Sequence, residues 1–558
     1  MHRSIIYFAL SSILAVTTVA QSDERASLNA QTDKIFALWD RPESPGCALA
    51  VIRDGQIIYK RGYGTADLDH DIPITPASVF HVASVSKQFT AMAIHLLAER
   101  GKLSLDDEAR KYIPELRGIS AKITIRHLLH HTSGLRDQWN LLIMSGWRLS
   151  EDVVREQDVL DLVSRMKELN FQPGEQYAYS NTGYTLLAVI VKRVSGQSLR
   201  EFTEANIFKP LGMTRTFFRD DHAVTVKGQA YAYINGPNNT FKLSVPNYDV
   251  VGASSLLTTV EDLARWDQNF YDYRVGGQRV IDRMQITSRL NSGEPIDYAS
   301  GLVIGRYKGL RIVEHSGGDA GYRSHLMRFP DERFSVVCLC NVGNTNPGAL
   351  ARRVADTYLQ NRLVAEASKT TNAPAFALTA EQLTAKAGAY WNEVTEELGR
   401  AWVQNHKLYL SFPGYNNSVT PFSTDRFSMT GQLGDVEFGP STNGKPAYFT
   451  VRIGERSPAV FKAVPPAETS FDRLGEFVGN YYSDEIDATY RVERRETGLV
   501  VLRRKADPTP LVPAFRDGFS SMSILGTVRF MRDAGSGVNA MVLSAGRVRN
   551  FRFVRQAQ

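Results

Sequence analysis

The last third of this chain repeats itself, and the repeat limits what can be built there. Gly388-Ala389-Tyr390 returns as Gly479-Asn480-Tyr481, and Leu408 and Leu410 return as Leu499 and Val501. Phe422 with Asp425 and Phe427 returns as Phe515 with Asp517 and Phe519, and Val436-Glu437-Phe438 as Val528-Arg529-Phe530. All four correspondences keep an offset of about 91 positions, the mark of two tandem copies of one unit. Both copies are made of short alternating segments and many turns, with few long helical runs. Each is of a size to close into a small antiparallel β-barrel, and the two are placed at 375–466 and 467–558.

The preceding stretch reads differently. Gly46 to Gly64 has the form of a hairpin: an apolar run from Cys47 to Ile52, an Asp54-Gly55 turn, then Ile57 to Tyr63. Helical spacing dominates the middle. Ser84 to Arg100 carries Phe89, Ala93, Leu96 and Leu97 on one face before Gly101, and Glu151 to Leu169 and Gly183 to Val194 keep a similar character. Thr258-Thr259-Val260-Glu261 reads as a capping box opening a helix through Trp266 and Phe270. Strands return at Leu310 to Glu314, Tyr322 to Phe329 and Phe334 to Asn341, and a helix from Pro347 to Leu363 closes the unit. Strands at both ends with helices between them predict an α+β domain. Its antiparallel sheet has its first and last strands as neighbours and is flanked by helices, with an all-helical subdomain. Ser, Thr, Asn and Pro gather between Ala365 and Ala380, so this domain is placed at 21–366.

At 558 residues the chain is too long for one core. A formal charge of +6 is small for this size and its Arg and Lys are scattered, so no nucleic-acid partner is expected. The first twenty residues have the pattern of an export signal. His2 and Arg3 precede an apolar run from Ile5 to Val19, Thr18-Val19-Ala20 offers small residues for cleavage before Gln21, and a polar sequel follows. This predicts a periplasmic or secreted protein with no membrane span after cleavage of residues 1–20. Cys338 and Cys340 alternate along one strand and Cys47 lies on another, so the three read as small buried hydrophobes rather than a disulfide framework. No metal and no cofactor are expected. His127, His130 and His131 have helical spacing, but no carboxylate sits at a matching interval.

Three short motifs carry chemistry: Ser84-Val85-Ser86-Lys87, Tyr179-Ser180-Asn181 and His315-Ser316-Gly317. A hydroxyl needs a base to become a nucleophile. Lys87, three residues after Ser84, projects from the same helical face, and Ser84 lies at a helix N-terminus, where free N–H groups favour negative charge. Second copies show that the motifs alone mean little. Ser164-Arg165-Met166-Lys167 lies inside a helical stretch without that field, and Tyr233-Ile234-Asn235 and Tyr390-Trp391-Asn392 repeat the Tyr-x-Asn spacing.

With their context, the first copies resemble the serine β-lactamase and penicillin-recognising hydrolase superfamily, on the side of class C β-lactamases, D-aminopeptidases and related esterases. His131-Thr132-Ser133-Gly134-Leu135, Phe171-Gln172-Pro173-Gly174 and His315 to Gly321 share in the resemblance, which covers about Gln31 to Leu363; the tail, including Gly479 to Glu485, is similar to that of three-domain D-aminopeptidases. The resemblance implies Ser84 as nucleophile, Lys87 as base and Tyr179 as proton shuttle to the leaving group. It implies Asn181 as a ligand of the substrate amide and the N–H groups of Ser84 and Gly318 as the oxyanion site. Gly317 would let the strand backbone approach the substrate. His315 stands where β-lactamases usually carry Lys, and an imidazole anchors a carboxylate less strongly. The expected function is an exported hydrolase cleaving amide bonds of small peptides through a Ser84 acyl-enzyme, D-aminopeptidase-like. The alternatives are an esterase or weak β-lactamase on the same site, and a non-catalytic penicillin- or ligand-binding protein. A homodimer is compatible with this reading.

Overall fold

The computed structural model describes residues 25–364 and 376–557 apart from 413, 431–433, 443, 454–456, 468–470, 497 and 522–524. The export-signal segment and most of the linker between the hydrolase-like domain and the tail lie outside the described residues. Among the described residues no helix is long and apolar enough to cross a membrane.

The first domain is built on β1 (Cys47–Arg53), β2 (Gln56–Tyr63), β3 (Val303–Tyr307), β4 (Leu310–Asp319), β5 (Tyr322–Phe329) and β6 (Phe334–Cys340), in the spatial order β3-β4-β5-β6-β1-β2. The first and last strands are neighbours, as expected, pairing antiparallel with Ala50 opposite Val337. Both faces are covered, which explains the unbroken apolar runs of β1 and β6. Ala48, Ala50 and Ile52 face a core shared with α1 (Lys87–Glu99), α2 (Asn181–Ser195) and α3 (Val260–Asp272). Cys47, Leu49 and Val51 face a second core closed by Leu350, Ala351, Val354 and Ala355 of α4 (Pro347–Tyr358). The cap of α3 is Thr259, whose side chain accepts from the Asp262 N–H.

The cysteine expectation fails. The register of β1 on β6 sets Cys47 opposite Cys340, and the two form a disulfide with Cα atoms 4.0 Å apart. Sequence comparison of Cys338 with Cys340 could not reveal a bond whose partner lies on the neighbouring strand. Cys338 keeps its thiol, and burial pushes that thiol up in pKa.

The tail forms two closed antiparallel barrels of eight strands each. The first runs from Gly388–Asn392 to Ala459–Ala463, the second from Gly479–Ser483 to Val548–Arg555. The repeat seen in sequence is reproduced in detail. Tyr390 donates to the Lys386 carbonyl at 2.8 Å, and Tyr481 donates to the Phe477 carbonyl at the same distance.

Candidate active site

Ser84 sits in a single 3-10 turn (Ala83–Ser86) that leads directly into α1. It is half-buried in a run of buried neighbours. The turn is held in a demanding shape: Ala83 has φ +48°, a left-handed conformation costing about 1–3 kcal/mol for a residue with a side chain. Ser86 fastens it by donating to the Ala83 carbonyl at 2.5 Å and accepting from the Leu256 N–H at 3.1 Å. Strand β4 lies against the turn without a gap. A Cβ on Gly317 would stand 2.3 Å from the Val82 carbonyl oxygen and 2.4 Å from Ser324 Oγ. The bare Cα at Gly317 therefore admits the Ser84 turn. Gly318 has room, with no atom nearer than 3.6 Å to a Cβ placed there.

Lys87 is fully buried, and its Nζ lies 3.2 Å from Ser84 Oγ, 3.0 Å from Asn181 Oδ1 and 2.7 Å from the Ala253 carbonyl oxygen. Burial drives Lys87 well below the ordinary lysine pKa, the Arg547 guanidinium adds to the shift, and Asp137 and Asp319 oppose it. Its Nζ also lies 4.7 Å from the centroid of the Tyr179 ring. Burial raises the Tyr179 phenol, while its contact with Ser84 and the charge of Arg547 act the other way. The phenol hydroxyl closes no regular hydrogen bond among the described residues.

His315 is a neutral imidazole. It is buried between Ser316, whose carbonyl lies 2.7 Å from Nδ1, and Tyr298, whose hydroxyl lies 3.0 Å from Nε2. The network assigns Nδ1 as donor and Nε2 as acceptor, and burial lowers the ring to about 3. Tyr298 also packs on His131, with centroids 4.6 Å apart. His131, at φ +57°, packs on Tyr179 with centroids 4.2 Å apart and planes tilted by 35°, and accepts from the Ser180 N–H at 3.2 Å, so it fixes the loop that carries the phenol.

Sequence reasoning missed three groups. Tyr298 had no motif around it. Asp137 caps the helix Gln138–Met144 through Oδ1 while its Oδ2 accepts from the Asn181 N–H at 2.8 Å and Nδ2 at 2.9 Å, which turns the amide oxygen of Asn181 toward Lys87. Its cap position was readable, its partner was not. Arg547, from the second barrel, places its guanidinium carbon 4.6 Å from the Tyr179 ring centroid and Nη1 3.5 Å from Asp137 Oδ2. The loop Gly252 to Ser255 lines the site through the Ala253 carbonyl, which accepts from Lys87.

The decoy motif is explained as well. Ser164 donates to the Asp161 carbonyl at 2.8 Å, and Lys167, beyond the helix end at Arg165, pairs with Asp484 of the tail. Two groupings of potential metal ligands occur among the described residues. One is Cys47, Cys338 and Cys340, two of which are disulfide-bonded; the other is Asp221, His222 and Asp249, where His222 already pairs with Asp249 at 2.8 Å.

A serine hydroxyl held against a buried amine and a phenol, beside an antiparallel sheet backed by helices, defines a serine hydrolase of the β-lactamase and transpeptidase-like class. The Beta-lactamase family matches residues 32–360, and the chain belongs to that family. Penicillin-binding protein 4* of Bacillus subtilis (strain 168) is 30% identical over 441 residues, covering 76% of this chain and 96% of that protein. A D-aminopeptidase of Gluconobacter oxydans is 29% identical over 308 residues, covering 55% of this chain but only 58% of that enzyme. The octameric penicillin-binding protein homologue of Pyrococcus abyssi superposes with a TM-score of 0.54 at 24% identity, over 78% of this chain and 99% of that one, a likeness of fold.

Proposed function

We propose that the protein is an exported hydrolase that cleaves amide bonds of small peptides or D-amino-acid derivatives through an acyl-enzyme on Ser84. One observation carries the reading: a fully buried Lys87 lies 3.2 Å from Ser84 Oγ and is anchored from behind by Asn181 and Ala253. Burial favours the neutral form of this amine, the form that can accept the serine proton as Oγ attacks the carbonyl. Tyr179, whose ring lies 4.7 Å from Lys87 Nζ and whose phenol contacts Ser84, then protonates the leaving nitrogen and later helps draw a proton from the hydrolytic water. The N–H groups of Ser84 and Gly318 take the oxyanion, a contribution often worth about a hundredfold or more in rate. Asn181 serves Lys87 with its oxygen and is steered by Asp137, so its contact with the substrate amide uses what remains of that side chain. The names of the relatives, a penicillin-binding protein and a D-aminopeptidase, support peptide or amide substrates.

The test compares wild type with Ser84→Ala on a panel of D-aminoacyl amides and short acyl esters, alongside mass spectrometry after a serine-directed phosphonate. A covalent adduct at Ser84 and a loss of about a thousandfold or more in kcat/KM on the preferred substrate are expected. The reading fails if wild type forms no adduct. An ester preference above amides would make the enzyme an esterase on the same site.

A further inference from the structure

Position 315 poses a problem that the second barrel answers. A neutral, buried imidazole cannot hold a substrate carboxylate by charge, and the cation that approaches the site from outside the hydrolase domain is Arg547. This residue lies in the two-residue turn between the strands Val538–Ala545 and Val548–Arg555. The turn is clamped onto the hydrolase domain rather than free. Asn170 donates from Nδ2 to the Arg547 carbonyl at 2.9 Å and accepts the Arg549 N–H on Oδ1 at 2.8 Å. Gly546 has φ +59°, the left-handed region that favours glycine, and a Cβ there would meet the end of the Asn140 side chain at 2.6 Å. Beneath it, Glu485 and Arg136 form a buried ion pair with both carboxylate oxygens 3.0 Å from Nη1.

The guanidinium so delivered is underused. Its side chain remains 46% exposed, and among the described residues its one ion pair is the 3.5 Å approach to Asp137 Oδ2, an oxygen already filled by two donors from Asn181. No N–H of the Arg547 side chain closes a hydrogen bond to protein among the described residues. Five donors in a planar fork, with one face resting on the Tyr179 ring, match the planar bidentate geometry of a carboxylate, the anion that a peptide or amino-acid substrate carries.

We propose that Arg547 is a specificity-determining residue that recognises a carboxylate of the substrate close to the scissile bond, so that the second barrel supplies the cation that position 315 lacks. The preferred substrates then carry an anionic group near the bond, and a free ammonium beside it is disfavoured by like charge. This rests on the reading of Ser84 as the acylated nucleophile and narrows its substrate class away from free N-terminal amines. The carboxylate can belong to the leaving amino acid or to the acyl residue, and substrates separate the two.

The experiment measures kcat/KM of the full chain on four matched compounds. These are an N-acetyl D-dipeptide with a free C-terminal carboxylate, its C-terminal carboxamide, an N-acetyl D-glutamyl amide and its D-glutaminyl counterpart. Wild type is expected to favour the carboxylate over its neutral isostere by about ten- to a hundredfold in one of the two pairs, the span of a charge-assisted pair. Arg547→Gln should collapse that ratio to about twofold or less, and Arg547→Lys should keep part of it. Because each ratio is taken within one variant, a general change in rate does not affect it. The wild-type ratio also decides independently of whether the variants fold. Equal rates on carboxylate and isostere in wild type, or a ratio that survives Arg547→Gln, overturns the proposal. A Ser84 adduct without charge discrimination leaves the hydrolase reading standing and sinks only this one, whereas no adduct sinks both.

Discussion

The two barrels share one design and differ in what they touch. In the first, the Phe438 N–H donates to the Asp425 carbonyl at 2.8 Å; in the second, the Phe530 N–H donates to the Asp517 carbonyl at 2.8 Å. Yet the interior of the first barrel, with Tyr390, Phe427, Phe449 and Phe461, is a hydrophobic cluster of its own. The interior of the second, with Tyr490, Phe551 and Phe553, is continuous with the core that backs the Ser84 helix. Polar contacts divide in the same way. The second barrel reaches the hydrolase domain through Glu485, Tyr490, Arg503, Arg547 and Arg549. Among the described residues the first meets that domain at the exposed Ser457–Glu294 contact, and it leans on its twin through Arg529–Glu396 and the Trp391–Phe515 ring contact. One copy of a repeat has become a wall of the site while the other remains a neighbour, so function lies in the turns and not in the barrel.

The largest effects should come from truncating one fully buried ring in each barrel. Phe551→Ala and Phe449→Ala should each cost about 3–5 kcal/mol by urea unfolding. They should part company in activity. Phe551 packs under Arg136, with the guanidinium 4.9 Å from its ring, so its loss should lower kcat/KM, and Phe449→Ala should leave kcat/KM of the folded fraction unchanged. Similar kinetic losses in both would erase the distinction between the barrels.

Next comes charge. Glu485→Gln leaves Arg136, which is fully buried, without its main partner, and breaking such a pair costs about 3 kcal/mol or more. The matching test in the first barrel is Asp425→Asn. Its partner Lys386 is buried, but Asp425 is itself 54% exposed, and the expected cost is below about 1 kcal/mol. Smaller still is the pair of turn glycines. Gly546→Ala forces a side chain into φ +59° and against Asn140, for about 1–2 kcal/mol and a raised KM. Gly414→Ala in the first barrel, at φ +84° with no atom within 4 Å of where its Cβ would stand, should cost about 1 kcal/mol and leave the kinetics alone.

Much of this was legible in the chain. The β-hairpin, the long apolar helix after Ser84, the neighbouring first and last strands and the doubled tail all follow from local period, turn residues and an internal offset, which are properties of short windows. The disulfide was half legible: with β1 and β6 antiparallel neighbours, a cysteine opening one lies toward the same end of the sheet as a cysteine closing the other. That step needed the register as well as the pairing. What short windows do not contain is docking. Arg136 and Glu485 are separated by hundreds of positions, and neither sits in a motif. Arg547 looks like any arginine in a hairpin turn until the turn is placed on Asn170. The site was therefore readable where its parts lie on one helix or strand, and unreadable where a second domain completes it.

The smallest effect is the most specific, because it tests whether the second barrel acts on Lys87 through space. A general base works in its neutral form, so the acid limb of kcat/KM falls as pH drops through the Lys87 pKa. After burial, Arg547 is the strongest influence lowering that value. Removing its charge lets Lys87 hold its proton more tightly, and the limb in Arg547→Gln should move to higher pH, by a fraction of a unit for one partly screened charge. Arg400→Gln, in the first barrel, should leave the limb in place. Stability gives the sign an independent check. The folded-state pKa of Lys87 lies below its unfolded value, so between the two the unfolded chain binds the extra proton and stability rises with pH across that window, levelling off above about 10.5. Lys87→Met abolishes this term, so its stability relative to wild type should improve as pH falls from about 10.5 toward neutrality. A limb that stays fixed in Arg547→Gln while shifting in Arg400→Gln would show that the barrels had been assigned the wrong way round.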